Sequence, residues 1–73
     1  GLWHALRACR KRLAEEQGVP PYVIFHDATL REMLEFRPLT PEQLRSITGV
    51  GESKLKRFGE EFLAVIREAE YEE

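Results

Sequence analysis

Two glycines around one valine, Gly49-Val50-Gly51, interrupt the most strongly helical part of this chain. Positive φ is available at either glycine, so the backbone can turn sharply there. The flanking residues are thereby committed to two helices joined by a tight turn. On the N-terminal side, Thr40 is an N-cap, Pro41 suits the first helical position, and Gln43 can reach back to complete a capping box. Leu44 and Ile47 give this short helix an apolar edge. On the C-terminal side a long helix begins near Gly51 or Glu52. Leu55, Phe58, Phe62, Val65, Ile66 and Ala69 are spaced as one face of it. Gly59 lies between the two phenylalanines, where glycine costs a helix about 1 kcal/mol relative to alanine. A close approach of another helix is the expected reason for it.

The same hairpin has a chemical reading. The first N–H groups of a helix lack intrahelical partners and carry partial positive charge, which suits a phosphate. Lys54, Lys56 and Arg57 follow within two turns. Gly49 and Gly51 are therefore candidate phosphate contacts. The plainer reading is a turn and nothing more, and Glu52 favours the helix dipole while repelling a phosphate.

Upstream, Leu2, Leu6, Cys9 and Leu13 repeat as a core stripe, predicting a first helix from about Leu2 to Gln17. Trp3 sits at the edge of that stripe as a partly buried anchor. Gly18 and the Pro20-Pro21 pair end the helix. The stretch Val19–His26 is the least helical. Val23, Ile24 and Phe25 are consecutive and apolar, but no second strand is available to pair with them. The stretch reads as a rigid loop or short turn that plugs the core, with Tyr22 carried on a stiff support. Tyr22 is then either a core-edge ring or an aromatic face for an unpaired base. Asp27 is read as the N-cap of a helix over residues 28–36, buried through Leu30, Met33 and Leu34 and ended by Pro38. The expected core is Leu2, Leu6, Leu13, Val23, Phe25, Leu30, Leu34, Leu44, Ile47, Leu55, Phe58, Phe62 and Ile66.

At 73 residues the chain makes one small domain, and 42% hydrophobic with 33% charged residues suits a folded one. No apolar run reaches membrane-spanning length, so no membrane partner is expected. Cys9 is the sole cysteine and reads as a buried small side chain, in keeping with a reducing compartment. The net charge of −2 argues against a wholesale nucleic-acid clamp, yet its distribution is uneven. Arg7, Arg10, Lys11 and Arg12 crowd residues 1–12, which hold no acid. Glu60, Glu61, Glu68, Glu70, Glu72 and Glu73 face only Arg67 at the other end. A phosphate-binding GxxxxGK[ST] loop, a GxSxG elbow and an HExxH pair are all missing. His4 and His26 have no ligand-spaced neighbours, so neither a catalytic nor a metal centre is expected.

Two stretches carry a family resemblance: VPPYVIFHDATLREM, residues 19–33, and GVGESKLKRFG, residues 49–59. Together with their order and spacing they resemble the HRDC (helicase and RNase D C-terminal) domain, and the PPY and DATL segments are most similar to its bacterial RecQ helicase branch. The resemblance implies an all-α bundle of about five helices, spanning residues 1–73 as one domain. It implies an accessory module at the C-terminus of an ATP-dependent 3′–5′ DNA helicase. Such a module binds single-stranded or partly duplex DNA weakly and tunes substrate choice. Carried onto this sequence, the DNA-contacting positions are Tyr22, Arg7, Arg10, Lys11, Lys54 and Arg57. No cofactor is implied for the module; ATP and Mg would belong to the parent helicase. The implied partners are DNA and the helicase core, the isolated domain being a monomer in the bacterial cytoplasm at the nucleoid. Gly1, placed directly on a helix, suggests an excised fragment. The acidic tail keeps open an alternative, a regulatory or protein-interaction module of the same helicase that uses the tail and Trp3. A nuclease, as in the RNase D relatives, would need clustered acids holding a divalent metal.

Overall fold

The computed structural model describes residues 1–71, so Glu72 and Glu73 of the acidic tail lie outside the described residues. Five helices follow in chain order: α1, Leu2–Gln17; α2, Pro21–Ile24; α3, Asp27–Phe36; α4, Pro41–Arg45; and α5, Glu52–Tyr71. There is no strand among the described residues. The expected all-α bundle is what forms.

The helix ends follow from local chemistry. Gly18, at φ 69°, closes α1 in a Schellman motif: its N–H donates to the Glu15 carbonyl, and the Val19 N–H donates to that of Ala14. Pro38 disfavours helical backbone at the residue before it, and Arg37 ends α3 in the left-handed region at φ 48°. Thr40 caps α4, its hydroxyl accepting from the Gln43 N–H at 3.2 Å. Gln43 reaches back one residue further than a capping box requires: Oε1 accepts from the Leu39 N–H at 2.8 Å. The Leu39 carbonyl in turn accepts from Arg67 Nε on α5 at 2.9 Å. The loop before α4 is thus tied to the long helix.

At about 1.5 Å per residue the 20 residues of α5 span about 30 Å, close to the longest dimension of the molecule, 34 Å. α1 and α4 pack on α5, and α2 and α3 pack on α1. Leu6, Phe25, Leu30, Met33, Leu44, Phe62, Leu63 and Ile66 are buried in one continuous core. Phe25 is its wedge, meeting Phe62 edge-on at 5.1 Å between centroids and Phe58 at 6.4 Å. Gly59 is buried, but the tight neighbour of a Cβ there would be Leu55 Cδ1 of α5 itself at 2.9 Å; Leu44 Cδ2 of α4 would lie at an ordinary 3.7 Å, so the expected close approach of another helix is not what the glycine serves.

Three expectations are corrected. The segment after Pro20 is a single helical turn, which buries Ile24 and leaves Val23 42% exposed. Val23 therefore leaves the core and Ile24 enters it. Leu34 and Leu55 pack only partly buried against the core, while Leu63 and Val50 lie fully within it. Asp27 is the first residue of α3 rather than its cap, and its carboxylate pairs with Arg10 instead. Cys9 is buried as expected, and burial pushes its thiol up to about 11.

Candidate nucleic-acid interface

Pro20, at φ −65°, sets the entry of α2, and Pro21 occupies its first position. This pair carries Tyr22 into solvent, 59% exposed. Its ring stacks on His26, with centroids 5.9 Å apart and planes 26° from parallel. The turn is anchored from below by Ile24 and Phe25, both fully buried. An exposed aromatic on so stiff a mount loses little freedom when a flat ring stacks on it.

Beside it runs the polar face of α1. Arg7 and Lys11 are one turn apart and exposed. With His4, Ala8, Arg10 and Pro21 they line a cleft of about 390 Å³ between α1 and α2. Among the described residues neither cation has a hydrogen-bonded or ion-paired protein partner. Arg12 differs: it bridges Glu16 at 3.1 Å and Glu61 of α5 at 2.7 Å.

Arg10 does not join the exposed cations. It is only 7% exposed. Its Nη1 donates to the Phe25 carbonyl at 2.9 Å and lies 2.8 Å from Asp27 Oδ1. A guanidinium committed in this way positions the α2–α3 joint, and with it Tyr22, rather than meeting a ligand head-on. The Arg10 guanidinium holds the Asp27 carboxyl below its ordinary value, with Arg31 and Arg7 adding to the effect.

Of the α5 cations, Lys54 reaches the same joint, while Arg57 sits between Phe58 and the end of α1. Lys54 Nζ lies 5.7 Å from the Phe25 ring centre, and the Arg57 guanidinium 4.8 Å from that of Phe58. Arg57 Nη2 also donates to Gln17 Oε1 at 3.3 Å. Phe25 is the common neighbour, its carbonyl held by Arg10 and its ring covered by Lys54.

At the hairpin, Gly49 has φ 91°, whereas Gly51 does not use positive φ. The turn is fastened to α3: Thr29 Oγ1 donates to the Thr48 carbonyl at 2.9 Å, and Glu32 Oε1 accepts from the Thr48 N–H at 3.1 Å. Glu52 pairs with Arg45 across the turn at 3.0 Å, so its charge at the start of α5 is compensated.

The HRDC domain family model matches residues 1–66. The chain belongs to the HRDC family. This HRDC domain is 45% identical over 67 residues to the ATP-dependent DNA helicase RecQ of Haemophilus influenzae, the match covering 92% of this chain and 11% of that helicase. It is 48% identical over 66 residues to RecQ of Bacillus subtilis, covering 90% of this chain and 11% of the relative. Among solved structures it is similar to D. radiodurans RecQ HRDC domain 3, with a TM-score of 0.92 at 33% identity, covering 96% of this chain and 92% of that one. The chain thus spans about a ninth of the RecQ helicases it matches.

One cation of this HRDC domain escaped the sequence reading. Arg31 of α3 lies over the Trp3 ring of α1, 5.6 Å from its centre. Twenty-eight residues separate the two in sequence, and no local spacing joins them. No group of three or more His, Cys, Asp or Glu side chains suited to a metal ion occurs among the described residues.

Proposed function

We propose that this chain is the accessory nucleic-acid-binding domain of a RecQ-type ATP-dependent DNA helicase. It binds single-stranded or partly duplex DNA weakly and without sequence preference, and so tunes which DNA structures the motor engages. ATP and Mg belong to the motor. The observation that carries this reading is Tyr22, exposed on a two-proline turn beside Arg7 and Lys11, which have no protein partner among the described residues. Stacking of a base on Tyr22 would supply about 1–3 kcal/mol. Arg7, Lys11, Lys54 and Arg57 neutralise phosphates, the hairpin backbone at Gly49 and Gly51 offers a further phosphate contact, and Arg10 holds the platform in place. The chemistry has no need of a catalytic residue in this domain.

The test is a titration of labelled single-stranded oligonucleotide with the 73-residue chain at low salt, where electrostatics are strongest. Tyr22→Ala should abolish measurable binding and Lys54→Ala should weaken it. The log–log salt slope should be about −0.7 per phosphate neutralised. Undetectable binding by the unsubstituted chain refutes the reading.

One observation favours a second role in contact with the helicase core. Phe36 is 63% exposed and borders a groove of about 530 Å³ between α3 and α4, lined also by Pro38, Leu39 and Ile47. The acidic residues are poorer candidates for that contact, since Glu60 and Glu61 are engaged with Arg67 and Arg12. A chain that binds no DNA, yet whose Phe36→Ala variant changes ATP turnover of the full helicase, would put this role first.

A further inference from the structure

The two sets of cations around Tyr22 are not equivalent. Lys54 and Arg57 rest over buried phenylalanine rings, and Arg57 is also held by Gln17. Arg7 and Lys11 line an open cleft without a protein partner among the described residues. Arg31 shares their freedom: it is exposed, it lies over the face of Trp3, and it has no hydrogen-bonded or ion-paired partner among the described residues. The charges of Arg31 and Arg7 both act on the Asp27 carboxylate, which Arg10 meets at 2.8 Å. A continuous basic stripe therefore follows α1, from Trp3 with Arg31, past Arg7, to Lys11 and the cleft wall at Pro21, where Tyr22 begins. From Trp3 to Lys11 the stripe is about 12 Å long, at 1.5 Å of helix rise per residue. It has an aromatic ring near each end.

We infer that the bound single strand runs along α1, through the α1–α2 cleft, and that Arg31 with Trp3 forms a second contact point at the far end from Tyr22. This rests on the single-strand reading above and adds its path. Arg31 meets a phosphate, and the exposed part of the Trp3 ring borders the strand. Lys54 and Arg57 then neutralise phosphates at the Tyr22 end, and the strand leads from there along α1. A stacked aromatic at one end and a ring-supported guanidinium at the other would set a longer footprint than Tyr22 alone.

Trp3 is the only tryptophan, so its emission reports on this end of the path directly. Oligothymidylate is titrated into the 73-residue chain at low salt, with anisotropy of the labelled strand and Trp3 emission followed together. Trp3 emission should change with the same midpoint as the anisotropy. Arg31→Ala should weaken binding about 3- to 10-fold and reduce the salt slope by about 0.7. Arg12→Ala removes the same charge from the α5 side of α1 and should leave the slope unchanged. If binding depends on Tyr22 while Trp3 emission is silent and Arg31→Ala binds normally, the path is wrong and the single-strand reading stands. If the unsubstituted chain binds no oligothymidylate, both fall.

Discussion

Arg10 shows how one side chain can change role between sequence and structure. On α1 it belongs to a basic run with Arg7 and Lys11, and composition alone treats all three alike. Its burial depends on Phe25 and Asp27, fifteen or more residues later in the chain, and no local pattern carries that information. Arg10→Ala would leave the Phe25 carbonyl without its partner in a buried position. We expect a loss of about 2–4 kcal/mol, measured by urea denaturation, and Arg10→Lys should not fully restore it, because the lysine stem ends short of the Nη1 position that meets both partners. A loss under about 0.5 kcal/mol would contradict the role. The pair also has a pH signature. Arg10 lowers the Asp27 carboxyl below its reference value of 3.8. A carboxylate lowered in the folded state contributes stability in full above its unfolded value, and loses it as pH falls through the folded one. The difference in urea midpoint between the unsubstituted chain and Asp27→Asn should therefore shrink from pH 6 to pH 2.5. An equal difference at both pH values would show that the pair does not act this way.

Among the elements, α1, α3 and α5 were legible because each repeats its apolar residues at helical spacing over ten residues or more. α2 was not, since Val23, Ile24 and Phe25 are consecutive and fit either period. What settles the matter is a single turn that swings Val23 outward and sends Ile24 and the extended Phe25 inward. The two hairpin glycines looked interchangeable in sequence and are not. A Cβ on Gly49 would collide with Thr29 Oγ1, and its φ is one that other residues rarely adopt. A Cβ on Gly51 would meet open space. Gly49→Ala is expected to cost more than about 2 kcal/mol, against about 1 kcal/mol or less for Gly51→Ala at the start of α5. Thermal melts of the two variants give the comparison, and equal losses would refute it. Of the candidate interface, Tyr22 and its cations were nameable from the residues and their resemblance, whereas the Trp3–Arg31 contact needed α1 and α3 brought together.

For the whole molecule, α5 is the surface on which α1, α4 and the Phe25 wedge are assembled. A domain of 73 residues has about 4–11 kcal/mol of stability to lose. Phe62 is fully buried at the centre of α5 and meets Phe25 edge-on. Phe62→Ala is expected to cost about 3–5 kcal/mol and to lower Tm by roughly 15–30 °C. A drop under about 5 °C would mean that the core closes around the gap. Because Phe25 also carries the Tyr22 turn, a surviving Phe62→Ala fold should bind single-stranded DNA less well than its remaining stability suggests.

The grip of α3 on Thr48 has a consequence for the order of folding. Two helices joined by a tight turn would ordinarily find each other through local encounters, which are fast. Here both hydrogen-bonding groups of the turn's Thr48 peptide are taken by side chains 16 and 19 residues earlier. We expect α4 and α5 to settle their turn only once α3 has docked, with α3 already against the hairpin in the rate-limiting ensemble. In a chevron plot Thr29→Ala should slow the refolding limb more than it speeds unfolding; the opposite partition would mean that α3 docks late. By this route a break in a helical run, which looks local in sequence, makes folding of the C-terminal half wait on a segment that lies wholly before it.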